Sequence, residues 1–506
     1  MSSIQLPKNL DLAGWESRVM GCWLGKAVGG TLGGPHEGKS GPLKLDFYDP
    51  VPTQVLPNDD LDLQVVWLCY LLTNGCKEVT PDLLSDAWHK HVVFPWDEYG
   101  ICHRNGAYGL KGYQLGSVDN FFGECMGAAI RSELWACLAP GDPKRAAALA
   151  WSDAACDHAG DGIWAEVFFA ALESAAFVEH DRDTLIDLGL SYLPANSRVK
   201  DAIQLTRASW AKKKDWLAVR EDILAAHENP NFTDVAANLA FTILGWLAGE
   251  GDFGKSICIA NNCGMDTDCT AATLGSILGI IDPKCIPDKW TKPIGDAVIL
   301  NPQIVHLQNI PKNLQELTEQ TMRLAGQLAD SKPAIKEIVP RAPQRDGDTL
   351  LQIPVEIGFA ERAALTSETV PVSLVPKVSA TLPGHWIRRD AKEFQAPVML
   401  LHYTVNLKED EHVQFLAWSQ TNTRVWIDGK GVIPADADAV AARRPQQGAP
   451  SFHRGGRGHF ALSTPLKAGK HELVVAWEWP HFVADLVVGV ANAQSKQWLP
   501  FALLKK

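Results

Sequence analysis

Long apolar runs are missing from this chain of 506 residues. No window of about 18 residues, the length a membrane-spanning helix needs, is apolar and free of charge. Lys26 interrupts the stretch that comes nearest. A long Lys/Arg run is missing as well, and 59 acidic residues against 47 basic ones leave a formal net charge of -12. The basic footprint of a nucleic-acid binder is therefore absent. The opening MSSIQLPKNLDLAGWE has no basic segment followed by an apolar one, so it does not read as a signal peptide. Paired cysteines are missing too. The 11 cysteines sit mostly inside apolar helical patterns, as at Cys22, Cys69, Cys137 and Cys156, and the Cys258, Cys263, Cys269 cluster lacks the C-x-x-C form of a structural zinc site. Such thiols suit a reducing compartment. These absences predict a cytoplasmic protein whose partners include neither nucleic acid nor membrane, with the oligomeric state left open.

What is present is ordinary globular material, 46% hydrophobic and 21% charged, enough for two or three domains. From Trp15 to about Asp330 the apolar spacing is helical, as in GDGIWAEVFFAALESAAFVEH and NLQELTEQTMRLAGQLAD. The proline-rich SKPAIKEIVPRAPQRDGD then breaks the pattern. Beyond it come short runs such as PVMLLHYTVNL, VQFLAWS and HELVVAWEW, and the Asp-Gly hairpin signal of WIDGKG. The expected layout is an all-α domain over 1–335, a linker over 336–348 and an all-β sandwich over 349–506.

Three stretches carry chemistry. In PNDDLDLQVVWLCYLLTNG, Asn58, Asp59, Asp60 and Asp62 crowd the first turn of a helix. In NNCGMDTDCTAATLGSILG, Asp266 and Asp268 flank Thr267 ahead of another. One acid before a helix is usually an N-cap worth about 1 kcal/mol. Read locally, capping and cation binding both account for these groups. If the two clusters meet, their mutual repulsion calls for a cation, and oxygen donors select magnesium, or calcium or manganese, over zinc or copper. The third stretch, GCWLGKAVGGTLGGPHEG, repeats glycine at 21, 25, 29 and 33, a smooth face for tight helix packing. Glu37 follows the Gly33-Gly34-Pro35 break, on a loop where its carboxylate can face a cleft.

Taken in order, these stretches resemble the motifs of the ADP-ribosylglycohydrolase family. GKAVGGTLGGPHEG is similar to its opening G-x-x-x-G-D-A-L-G-x-P-x-E, NDDLDLQ to its T-D-D-T, and CGMDTDCTAATLGSILG to its G-G-D-T-D-T-x-A-A-x-x-G-A-x-x-G. CDHAGDGIWAEVFFAAL is a weaker fourth match through His158. The resemblance spans about residues 15 to 300. It implies an orthogonal helical bundle in which Asp59, Asp60, Asp266 and Asp268 hold one or two Mg2+ ions, with Asn58 as a further ligand. It also implies Glu37 and Asp60 as catalytic groups. Asp62, Thr267, Asp157 and His158 are expected in contact with substrate, with packing between helices as the alternative for His158.

The departures from the motifs are Gly30 for Asp, Asn58 and Leu61 for Thr, Met265 for Gly and Cys269 for Thr. The β-rich tail resembles accessory modules of carbohydrate-active enzymes, with Trp426, Trp477 and Trp479 either stacking on sugar or filling a sandwich core. Trp96 and Tyr99 of FPWDEYG either wall the cleft or belong to the core. The expected activity is metal-dependent hydrolysis of an O- or N-glycosidic bond to ribose or a related sugar, in an ADP-ribosyl or other glycosyl conjugate. The alternative is a non-catalytic binding or scaffold protein with a degraded metal centre.

Overall fold

The first helix, α1 (Leu12–Gly33), starts where Asp11 Oδ1 accepts the Gly14 N–H at 2.7 Å, and its second half is almost wholly buried. The computed structural model describes residues 6–94, 97–229, 231–330, 351–419, 421–433, 457–460, 463–479, 484–495, 498, 499, 501, 503 and 504. The linker expected over 336–348 and Trp96 lie outside the described residues. Two compact units emerge, one of Met1–Val93 with Gly123–Gln344 and the other of Phe94–Phe122 with Arg345–Lys506.

The first unit is helical. Its packing centre is the pairing of α1 with the Thr267–Ile281 helix, which runs antiparallel to it. A Cβ placed on Gly21, Gly25 or Gly29 would collide with the backbone carbonyl of Gly279, Gly275 or Ala271 respectively. Glycine inside a helix costs about 1 kcal/mol against alanine, and here that cost permits direct backbone contact. The four-residue glycine repeat is therefore a register device. It sets Gly33 beside Asp268.

The second unit is an antiparallel sandwich, as its alternating runs suggest. Its strands are β1 (Leu351–Ala360), β2 (Val378–Leu382), β3 (Trp386–Arg389), β4 (Val398–Leu407), β5 (Glu411–Ser419), β6 (Thr423–Ile427), β7 (Lys430–Ile433), β8 (Arg457–Phe460), β9 (Thr464–Leu466), β10 (Gly469–Glu478), β11 (Ala484–Asn492) and β12 (Leu503–Leu504). One sheet runs β12-β1-β4-β10-β6-β7 with β2 on β1, and the other β3-β11-β5-β8 with β9 on β5. Leu401, Tyr403, Val475 and Trp477 of the first sheet meet Phe415, Ala417, Val488 and Val490 of the second. Each such large side chain contributes about 1.5 to 3 kcal/mol by leaving water. The opposite face of the first sheet is also covered, since Leu400, Trp426 and Val474 pack with Ala364 and Leu365 of the Arg362–Thr366 turn.

Trp426 and Trp477 are thereby fully buried, on opposite faces of one sheet. The core reading holds for both, and neither ring is open to a sugar. Tyr99 is buried against Phe94. The second unit also takes in Phe94–Phe122, from the helical half of the sequence. Asp119 explains its attachment: its carboxylate accepts the His385 and Trp386 N–H groups and pairs with Arg104 at 3.1 Å. Among the described residues, no helix is long and apolar enough to cross a membrane.

Candidate metal centre

The glycine register ends at the site. Thr267 Oγ1 donates to the Gly33 carbonyl at 2.9 Å, fastening the start of one helix to the end of the other. The chain then turns through Gly34–His36 into Glu37. Gly38 N–H donates to Met265 O at 2.8 Å and Met265 N–H to Lys39 O at 2.7 Å, so the Glu37 loop is clipped to the residue before Asp266. Met265 itself has φ 68°, the left-handed backbone that a glycine adopts without steric cost.

Asp266 occupies the N-cap position of the Thr267–Ile281 helix, but its side chain makes no capping bond. Its backbone N–H donates to Asn238 Oδ1 at 3.1 Å instead. The carboxylate is thus left for another purpose. At α2 (Asp59–Thr73) the opposite holds, since Asn58 Oδ1 accepts the Asp60 N–H at 2.7 Å and caps the helix. The Asn58 amide NH2 donates to Asp268 Oδ2 at 3.2 Å, which ties the two acidic motifs together. A Cβ at Gly30 would lie 2.8 Å from Asn58 Nδ2, so the glycine makes room for this asparagine.

Two groups of ligand atoms result, each with its members within 4.8 Å of one another: Glu37, Asp266 and Asp268, and Asp60, Asp268 and Cys269. Asp268 belongs to both. Glu37 is exposed, whereas the three aspartates and Cys269 are buried.

The second group is bordered by a lysine. Lys26 is 1% exposed, and its Nζ lies 3.4 Å from Asp60 Oδ2 and 2.8 Å from Glu133 Oε1. It also donates to Ile130 O at 2.9 Å. Gln64 Nε2 supports Glu133 Oε2 at 2.9 Å, while Gln64 Oε1 accepts the Leu134 N–H. Burial works against the Lys26 charge, but Glu133 and Asp60 outweigh it and hold the ammonium pKa above its ordinary value.

The carboxylates behave oppositely. Burial, then Asp268 and Glu37, push Asp266 well above the usual carboxylate range. Burial and the neighbouring Asp59 push Asp268 up to about 6. Burial raises Asp60 as well, against the pull of Lys26. Cys269, buried beside Asp266 and Asp60, is pushed far up and remains a thiol. Its Sγ donates to Asp60 Oδ1 at 3.4 Å. Asp268 Oδ1 and Asp60 Oδ2 are both buried without a hydrogen-bond partner, a state that a proton or a cation would relieve. Hard oxygen donors with two orphaned oxygens could hold a metal ion.

A family model for ADP-ribosylglycohydrolase matches residues 11–331, a span that holds every one of these groups. The chain belongs to the ADP-ribosylglycohydrolase family. Membership supports a glycohydrolase type of function for this ADP-ribosylglycohydrolase-family chain. A solved structure described as an ADP-ribosylglycohydrolase-related protein complex is 19% identical, with a TM-score of 0.44, covering 63% of this chain and 99% of that one. A β-glucosidase from Kluyveromyces marxianus in complex with glucose is 12% identical, with a TM-score of 0.20, covering 28% of this chain and 17% of that one. At such distance neither says what this chain acts on. No curated protein matches the sequence.

The other residues singled out within the ADP-ribosylglycohydrolase motifs are placed as follows. Asp59, half-buried at the first position of α2, belongs to neither ligand group. Asp62 is buried, and its carboxylate accepts from the Asn301 backbone N–H and side-chain amide, the latter at 2.8 Å. Asp157 and His158 are fully buried. Arg131 grips both Asp157 oxygens at 2.7 and 2.9 Å and also reaches Asp153, and His158 Nδ1 lies 2.9 Å from Asp157 Oδ1. Burial favours the neutral form of Asp157, but Arg131 and His158 overcome it and hold the carboxyl down at about 2. Sequence reasoning missed Lys26, Glu133, Gln64 and Asn238. Only Lys26 carried a signal, as a charge inside a glycine-lined apolar helix.

Proposed function

We propose that this chain is a divalent-cation-dependent glycoside hydrolase that cleaves an O- or N-glycosidic bond to ribose or a related sugar. The observation that carries the reading is the meeting of Glu37, Asp266 and Asp268 from distant motifs, with Asp268 Oδ1 left without a donor. Asp266 and Asp268 would hold the ion from the buried side, with Glu37 facing the same point from the exposed side. Magnesium suits these donors best, with manganese or calcium as substitutes. When bound, the ion orients sugar hydroxyls and lowers the pKa of a water.

The remaining steps belong to side chains. Glu37, on the exposed loop, takes the proton of the attacking water, the role a carboxylate fills as general base. The buried aspartates concentrate negative charge that stabilises an oxocarbenium-like transition state at the anomeric carbon. The burial of Trp426 and Trp477 leaves the half-buried Trp479 as the one proposed stacking ring of the β-unit, and substrate recognition is assigned chiefly to the helical unit. The substrate class is an ADP-ribosyl or other glycosyl conjugate.

The test is turnover by chelator-treated protein of aryl ribosides, ribosyl amides, ADP-ribosyl-arginine and ADP-ribosyl-serine, with and without magnesium. Magnesium-restored hydrolysis of the simpler ribosides, lost in Glu37→Gln, supports the reading. Strong turnover of the two ADP-ribosyl conjugates would narrow the substrate to ADP-ribosylated protein. A thiol and an ammonium beside Asp60 favour a second reading, a scaffold with a degraded centre. It prevails if no substrate turns over and no ion binds.

A further inference from the structure

One half of the centre already contains its positive charge. Lys26 Nζ faces Asp60 Oδ2 at 3.4 Å, and the Cys269 thiol faces Asp60 Oδ1 at 3.4 Å. Asp60 Oδ1 thus faces the thiol and Asp60 Oδ2 the ammonium, whereas Asp268 Oδ1, which like Asp60 Oδ2 lacks a hydrogen-bond partner, has no ammonium paired with it among the described residues. The lysine is not a loose surface group. It is 1% exposed and held by Glu133 and the Ile130 carbonyl, with Gln64 fixing Glu133 in turn. A divalent ion at Asp60 would have to sit beside that ammonium with a sulfur rather than an oxygen as its other neighbour. Both features oppose it, because like charges repel and hard cations prefer oxygen.

We propose that the Lys26 ammonium replaces one metal ion in this centre, so that the chain binds a single divalent cation between Glu37, Asp266 and Asp268, with Asp60 serving as counter-ion to the lysine. This rests on the cation-dependent reading above. A tethered ammonium supplies a fixed positive charge that no chelator removes. It also places that charge at one point, whereas a bound ion adds exchangeable coordination positions for sugar and water.

The experiment is manganese titration of the full, chelator-treated chain, followed by calorimetry for stoichiometry and by electron paramagnetic resonance for coupling between ions. One ion per chain without manganese–manganese coupling is expected. Asp60→Asn should weaken that ion only modestly, whereas Asp268→Asn should abolish its binding. Lys26→Met combined with Glu133→Gln removes the buried charge pair together, and this variant should take up a second ion. Two coupled ions in the unaltered chain would overturn the proposal, as would loss of the single ion in Asp60→Asn. A double variant that folds but still binds one ion counts against it equally. No ion in the unaltered chain would instead remove the cation-dependent reading itself.

Discussion

Gly25 and Gly275 exclude each other's side chains: a Cβ on either would fall on the other's backbone carbonyl. Neither partner can move away, since Gly21 with Gly279 and Gly29 with Ala271 repeat the contact along the same pair of helices. Overpacking against backbone costs more than overpacking against a flexible side chain. Gly25→Ala should therefore destabilise the protein by about 3 kcal/mol or more in denaturant unfolding. Gly34→Ala, where a Cβ meets open space, should stay within about 0.5 kcal/mol. Equal effects at the two positions would refute the register argument.

Lys26 and Glu133 form a buried pair at 2.8 Å. Lys26→Met alone strands Glu133 and weakens the compensation of Asp60, a loss of about 3 to 5 kcal/mol. Adding Glu133→Gln should recover much of it. Urea midpoints of the two variants make the comparison, and a double variant no more stable than the single one would show that charge is not the cause.

Asp268 sits where its charge is unwelcome without a cation. Its folded pKa of about 6 lies above the ordinary carboxylate value, so at neutral pH its ionisation works against folding. Asp268→Asn should therefore leave the chelated protein as stable as before, or more stable by on the order of 2 kcal/mol. The same variant should lose the thermal shift that magnesium gives the unaltered chain. That shift is expected to reach about 2.7 kcal/mol at a hundredfold excess over Kd. A chelated variant with a clearly lower melting temperature would mark Asp268 as a helix-stabilising residue instead.

His385 ties the sandwich to the Phe94–Phe122 segment as a neutral imidazole. Its Nε2 lies 2.9 Å from the Tyr108 hydroxyl and its Nδ1 lies 3.0 Å from Val488 O, so Nδ1–H donates to the carbonyl and Nε2 accepts from Tyr108. Burial, with Arg104 nearby, holds its pKa well below 6.5. Above about pH 6.5 the ring is neutral whether the chain is folded or not. As pH falls below that value the unfolded chain takes up a proton that the folded one refuses, and stability is lost. Melting temperature should fall between about pH 6.5 and 5, and His385→Gln should flatten that slope whatever it does at neutral pH. An unchanged slope would assign the acid sensitivity to other groups.

Much of this was legible along the chain. The helical period of the first half and the alternation of the second determined the two element classes, because burial follows the period of the backbone. The four-residue glycine repeat announced a close helix contact, since glycine has no other physical use at that spacing. The acidic motifs, through their resemblance to one family, pointed to segments whose carboxylates the fold brings within 4.8 Å of one another. Sequence did not determine which carboxylates face one another, because Asn58 and Asp266 both stand at helix starts and only one of them caps. Nor did it show that Trp426 and Trp477 are buried on opposite faces of a sheet covered on both sides. Residues Phe94–Phe122 read as part of the helical half, and tertiary contacts such as those of Asp119 and Tyr108 with His385 placed them in the β-unit. Lys26 is the clearest case. Along the chain it is a charge interrupting an apolar helix, and it becomes the cation of Asp60 and Glu133 only when α1, α2 and the Glu133 segment fold together. Local periodicity specifies which face of an element is buried, but the partner of a buried charge comes from elsewhere in the chain and is decided by tertiary packing alone.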